Sequence, residues 1–276
     1  MEMFNRLTGK GNTPHNPEKA VNHLAFVLLS EARFPEGQEI VGALRDFAAL
    51  DEQLEAEVGE VQRQGGNQVV SLKLNTGETG MVALMPVPVP KGEADHYARF
   101  SLSSYRNGWE LPSHCAHLAV VMGPTVPAPP IVRLSRFTSL VAAVTKSAPA
   151  VGVYWGNAGA THDSEFFLSI ASEPGIVPRI MVWSGISMGR EKDGGLSLLS
   201  LGMKQLNLPD ILVIAGRSPA NAAAMTLFDL LAYVAKRGEA LPEGDTVGTS
   251  ADERLPVHYV PSPIDAAKRV CRVELA

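Results

Sequence analysis

Two cysteines in 276 residues, Cys115 and Cys271, are too few for a disulfide framework or a CxxC metal knuckle. A reducing cytoplasm is the compartment this usage predicts. Charge is sparse as well: 19% of residues are Asp, Glu, Lys or Arg, the net charge is -5, and no long run of one sign occurs. That balance carries no electrostatic footprint for nucleic acid or an anionic membrane, so neither is expected as a partner. No apolar run reaches the roughly 18 to 20 residues of a membrane span. The opening MEMFNRLTGKGNTPHNPEKA lacks the apolar core of a secretion signal. Its GKGNTPHNP is not spaced as GxxxxGK[ST] and follows no strand, so residues 1–20 read as a mobile arm rather than a phosphate loop. A GxSxG elbow is also missing, since in WSGIS the serine, Ser184, precedes the glycine and the first glycine is absent.

What is present is a hydrophobic content of 45%, enough to bury a sizeable core. Two openings repeat: NHLAFVLLS at 22–30 and AHLAVVMGP at 116–124, each a short apolar run bounded by turn residues and read as a buried strand. A helix is predicted after each. Residues 36–58 carry Ile40, Leu44, Phe47 and Leu50 at three- and four-residue spacing. Residues 131–148 carry Leu134, Phe137, Leu140, Val141 and Val144. Residues 67–90 predict a hairpin with its turn at 76–79, where Gly77 takes positive φ. Pro86, Pro88 and Pro90 then send the second strand out at a sheet edge. A third helix is expected over 92–104, and GPTVPAPP, 123–130, reads as a stiff loop.

Further along, AVGVYWG predicts a strand, SEFFLSIAS a helix, GIVPRIMVWSGISM a strand, GREKDGG a polar turn and LSLLSLG its return. PDILVIAG is a strand, and the helix after it has Pro219 in its first turn and Gly238 at its end. PVHYVPS and AKRVCRVEL close the chain as short strands. Hairpins mixed with helical connections point to an α+β fold. The expected architecture is two related βαββα-like halves, 21–110 and 111–276, with mixed or antiparallel sheets packed into one body.

The polar and aromatic chemistry concentrates in AVGVYWGNAGATHDSEFF, residues 150–167. Strand alternation puts Val151, Val153 and Trp155 on one face, and Gly152 and Tyr154 on the other. One reading makes Asp163 or Ser164 the N-cap of a helix beginning near Glu165. Such a reading leaves His162 no stabilising part. The other lines a cleft with Asn157, His162, Asp163 and Glu165. His162, Asp163 and Glu165 are its catalytic candidates; Tyr154, Trp155, Asn157 and His162 are the binding candidates. SHCAH holds His114, Cys115 and His117, but on a strand Cys115 and His117 point opposite to His114, so no metal centre is expected. His23 and His117 occupy matching positions of the two openings, which favours a structural role for both. No cofactor is expected.

The run 114–274, through AVGVYWGNAGATHDSEFF, LLSLGMKQLNLPDILVIAG and EGDTVG, resembles the bacterial family called domain of unknown function 4261. HLAFVLL through VALMPVPVPKGEADHYARF resembles the region that often precedes that domain. The family pattern commonly has an acidic residue where this chain has Leu212. The resemblance implies an α+β fold and no established activity. Its relatives are similar to small intracellular proteins of bacterial toxin, secretion or immunity neighbourhoods. The expectation is a non-catalytic, soluble, cytoplasmic binding protein with a protein partner, acting as an immunity or adaptor protein. Contact is expected at GREKDGG and at the acidic segments 31–39 and 239–253. The alternative is a hydrolase or small-molecule-binding protein using Asn157, His162 and Asp163. No motif sets the oligomeric state.

Overall fold

The computed structural model describes residues 23–50, 52–64, 67–123, 127–216, 218–248 and 253–275; the expected N-terminal arm and part of GPTVPAPP lie outside them. The chain divides into two compact units, with the boundary between Gly185 and Ile186. The fold is α+β, with a sheet in each unit.

In chain order the first unit holds β1 (His23–Leu29), α1 (Gly37–Leu44), β2 (Ala56–Gln64), β3 (Asn67–Leu74), β4 (Thr79–Met85), α2 (Glu93–Ala98) and α3 (Leu102–Asn107). It continues with β5 (Ala116–Gly123), α4 (Pro130–Ser147), β6 (Ala150–Trp155), β7 (Ala160–Asp163), α5 (Ser164–Ser172) and α6 (Ile176–Trp183). Its seven strands are ordered β2-β3-β4-β5-β1-β6-β7, and every neighbouring pair is antiparallel. The inner face lies under α4. Leu134, Phe137, Leu140, Val141 and Val144 are all fully buried, as their spacing predicts. Gly80 lets α4 come close, because a Cβ there would lie 2.6 Å from Leu140 Cδ2. On the outer face, α2 sits over the β1–β6 part of the sheet through Ala94 and Tyr97, which meet Leu28, Phe26 and Tyr154.

The second unit begins in β8 (Gly185–Arg190) and holds β9 (Leu196–Leu201), β10 (Ile211–Gly216), α7 (Ala220–Arg237), β11 (Thr246–Val247), β12 (Leu255–Pro261) and β13 (Arg269–Glu274). Its sheet runs β11-β12-β13-β10-β9-β8 and is mixed, with β10 and β13 parallel. Pro219, expected in the first turn of α7, is its N-cap, and the helix ends as predicted at Gly238, whose φ of 66° and N–H bonds to the Val234 and Ala235 carbonyls close the last turn.

Several expectations change. The two openings are strands, β1 and β5, and they are antiparallel neighbours in one sheet, both inside the unit that ends at Gly185. The order is βαβββαα from β1 to α3 and βαββαα from β5 to α6, so equivalent halves are not established. The helix expected over 36–58 stops at Leu44, because 56–64 pairs with β3; a cross-strand partner outweighs helical spacing. Phe47 is buried from the turn beyond α1. β4 is interior, between β3 and β5; the prolines begin only after its last residue. The helix over 92–104 is two, since Ser101 accepts a bond from Ser103 N and starts α3. IVPRIMVW is the helix α6, with Pro178 in a first turn that needs no N–H from it. An apolar run of that length has no periodicity to separate strand from helix.

Candidate functional site

Trp155 ends β6 facing α4 and α5, between Phe137 at 5.1 Å and Phe167 at 5.7 Å, with no exposed surface. Tyr154 points the other way, stacks on Tyr97 at 5.6 Å and donates its hydroxyl to Glu93 Oε1 at 2.6 Å. Burial and then that carboxylate push its pKa well above the ordinary tyrosine value. Both faces of β6 are covered, as alternation predicts. His162 on β7 is fully buried, with Nδ1 2.9 Å from Ser101 Oγ and Nε2 3.1 Å from Val182 O. A carbonyl only accepts, so Nε2 carries the hydrogen and Nδ1 accepts from the Ser101 hydroxyl. Burial lowers the pKa of His162 to about 4, and the ring is neutral. Asp163 caps α5, its carboxylate accepting from Glu165 N and Phe166 N at 3.4 Å each. Glu165 is exposed in the first turn, and Asn157 is half-buried in the turn joining β6 to β7. The named residues other than Glu165 therefore share a hairpin, while Tyr154, Trp155 and His162 present almost no surface.

SHCAH pins neighbouring segments. His117 Nδ1 lies 2.8 Å from Val87 O, Val89 N donates to His114 Nε2 at 3.4 Å, and Cys115 Sγ lies 3.2 Å from Ser30 O. His117 thus has a structural hydrogen bond. His23, its counterpart, stacks on Phe137 at 5.5 Å, and neither ring nitrogen has a hydrogen-bond partner among the described residues. Burial, with Arg133 second, lowers its pKa to about 4. Among the described residues no group of three or more His, Cys, Asp or Glu is placed to hold a metal.

Two features escape sequence reasoning. The Arg136 guanidinium on α4 meets Glu78 at 2.7 Å and Glu52 at 3.0 Å, and Glu78, itself 1% exposed, also accepts from Thr76 Oγ1. Partners so distant in sequence leave no local signal. The second is the outer face over β4 and β5. In register, Met81 faces Val121 and Ala83 faces Ala119. Met81 and Val121 are 46% and 37% exposed, with Met85 and Val87 open beside them. On the same side, a groove of about 450 Å³ runs between α2 and the chain after α3, lined by Asp95, Ala98, Arg99, Trp109, Glu110 and Leu111 among others.

In the second unit a buried carboxylate organises the turn before β10. Asp210 accepts from Met203 N at 3.0 Å and from Ser200 Oγ at 3.2 Å, and Ser200 Oγ in turn accepts from Ile211 N at 2.8 Å. Burial raises the Asp210 pKa to about 6 against those hydrogen bonds. This hub and the strands around it fall in a recognised segment. Residues 199–274 match the Domain of unknown function (DUF4261). The DUF4261 segment takes in most of LLSLGMKQLNLPDILVIAG and all of EGDTVG, and leaves residues 150–167 outside. Within it, Leu212 pairs with Leu199 in register and clusters with Val270, which explains an apolar residue at that position. The GREKDGG tip is the exposed β8–β9 turn, closed by Glu191 N to Gly195 O at 2.8 Å. No curated protein and no solved structure matches the chain. No helix among the described residues is long and apolar enough to cross a membrane.

Proposed function

We propose that the protein is a non-catalytic binding protein that engages a protein partner through the outer face of its seven-stranded sheet. The open Met81–Val121 pair carries this reading. The solvent face of an antiparallel sheet is ordinarily polar, so a contiguous apolar patch left open on it marks an interaction surface. The small side chains of Ala83 and Ala119 lie beside that pair, so the face is a shallow trough suited to the apolar side of a partner helix. Methionines at its margin adapt to the shape they meet. The hydrolase alternative needs His162 beside water, whereas its ring is enclosed and both nitrogens are bonded. The finer role, an immunity or adaptor protein for a toxin or secretion partner, follows by analogy from the family resemblance. Cytoplasmic residence fits the two unpaired thiols of Cys115 and Cys271.

The test is affinity capture from the native host with the tagged wild type and with Met81→Glu/Val121→Glu. A protein held by the wild type and lost by the double variant supports the reading. Identical captured sets, or none with either protein, overturn it.

A further inference from the structure

Of the three tryptophans, Trp155 and Trp183 have no exposed surface, while Trp109 is only partly buried and forms a wall of the groove beside α2. Its position is set by the chain before it. Gly108 ends α3 with a φ of 63°, and Ser104 Oγ lies 2.9 Å from Trp109 O and 2.8 Å from Ala98 O, tying both sides of the groove together. Ala98 and Leu111 supply apolar lining. Asp95 and Glu110 line the groove with exposed carboxylates, and neither forms an ion pair among the described residues. Arg99, the cation of the lining, is already engaged: its guanidinium carbon lies 4.8 Å from the Phe100 ring centroid and its Nη2 lies 2.9 Å from His96 Nε2. The groove therefore offers an indole wall and two carboxylates without an ion-pair partner among the described residues, against the single Arg99 cation.

We propose that this groove receives an arginine side chain of the protein partner, its guanidinium stacked on Trp109 and paired with Asp95 or Glu110; this rests on the binding-protein reading. A planar, weakly hydrated cation with several N–H donors satisfies an indole face and a carboxylate together, which the compact lysine ammonium does less well. The groove and the open strand face lie on the same side of the sheet, so one partner can use both.

The probe is a pentapeptide, Gly-Ala-Arg-Ala-Gly, blocked at both ends, and its citrulline counterpart, which keeps the shape and removes the charge. Each is titrated into the full chain while the Trp109 indole resonance is followed by NMR. The arginine peptide is expected to shift that resonance saturably at millimolar concentration, and the citrulline peptide to bind at least about tenfold more weakly. Asp95→Asn/Glu110→Gln, with an unchanged melting temperature, is expected to reduce arginine-peptide binding by a similar factor. No shift up to about 10 mM, equal binding of the two peptides, or wild-type binding by the folded double variant overturns the proposal. Tighter binding of free arginine than of the blocked peptide also overturns it, by assigning the groove to a small molecule. If the double variant fails to fold, the two peptides on the wild type still decide. The sheet-face capture uses neither peptide, so the two proposals fail separately.

Discussion

The β6–β7 hairpin and the β4–β5 pair belong to one seven-stranded sheet and differ in what covers them. The hairpin has α4 and α5 on its inner side and α2 on its outer side, and there Tyr154, Trp155 and His162 are nearly or wholly buried. The other pair has Leu140 of α4 against Gly80 on its inner side, while outside Met81, Met85 and Val121 stay open. Chemically suggestive residues became core, and unremarkable apolar ones became surface. Exposure follows from the placement of helices over a sheet, so residue type alone does not locate a binding site.

The largest expected effect tests how fully the hairpin is core. Trp155→Ala removes a ring packed between Phe137 and Phe167 and should lower the unfolding free energy by about 3 to 5 kcal/mol in urea denaturation. His162→Ala should cost about 2 to 4 kcal/mol, since it opens a cavity and strands the Val182 carbonyl and the Ser101 hydroxyl. A loss under about 1 kcal/mol for both would mean that the hairpin is not the packed element described.

Acid should separate the two units next. His162 and His23 have pKa values near 4 in the folded chain and 6.5 in their ordinary state, so the unfolded chain binds the proton more readily. Their stabilising contribution is complete above pH 6.5 and is lost as pH falls toward 4. Asp210 behaves oppositely: its folded pKa is about 6 against 3.8, so its contribution is present below 3.8 and lost as pH rises through 6. Amide exchange corrected for its intrinsic pH dependence should therefore accelerate in β6 and β7 on acidification, while the turn before β10 gains protection. Parallel behaviour of both segments contradicts that assignment.

Asp163→Ala is a smaller perturbation at the edge of the same hairpin. Losing the two cap bonds to Glu165 N and Phe166 N should cost about 0.5 to 2 kcal/mol, with Asp163→Ser recovering part of it. This residue is also where sequence reading did best, because an N-cap is local chemistry at fixed spacing. Local signals likewise located α4, α7 and the β3–β4 turn at Gly77, whose φ is 92°. Non-local facts stayed hidden. The conversion of 56–64 into β2 depends on β3 as its partner, and the burial of His162 depends on Ser101, 61 residues away. Sequence spacing left His162 without a stabilising role, and only the packed hairpin reveals one. The open trough could not be read either: Met81, Ala83 and Met85 alternate with Gly80, Val82 and Leu84, and alternation says that two faces exist without saying which one a helix covers.

The smallest expected effect on stability sharpens the contrast most. Met81→Glu/Val121→Glu places two carboxylates opposite one another in register on the open face, where both native side chains already meet solvent. Neither side chain belongs to the closed core, so the cost is a modest loss of contact, the mild repulsion of facing like charges and a weaker strand preference, together on the order of 1 kcal/mol. The same two substitutions in the hairpin, at Trp155 and Tyr154, would abolish folding. A double variant with a near wild-type melting temperature that loses its captured partner would separate the face from the fold. A fall of several degrees or more would instead mean that the trough is covered, and the strands β4 and β5 would then be core on both sides like the hairpin.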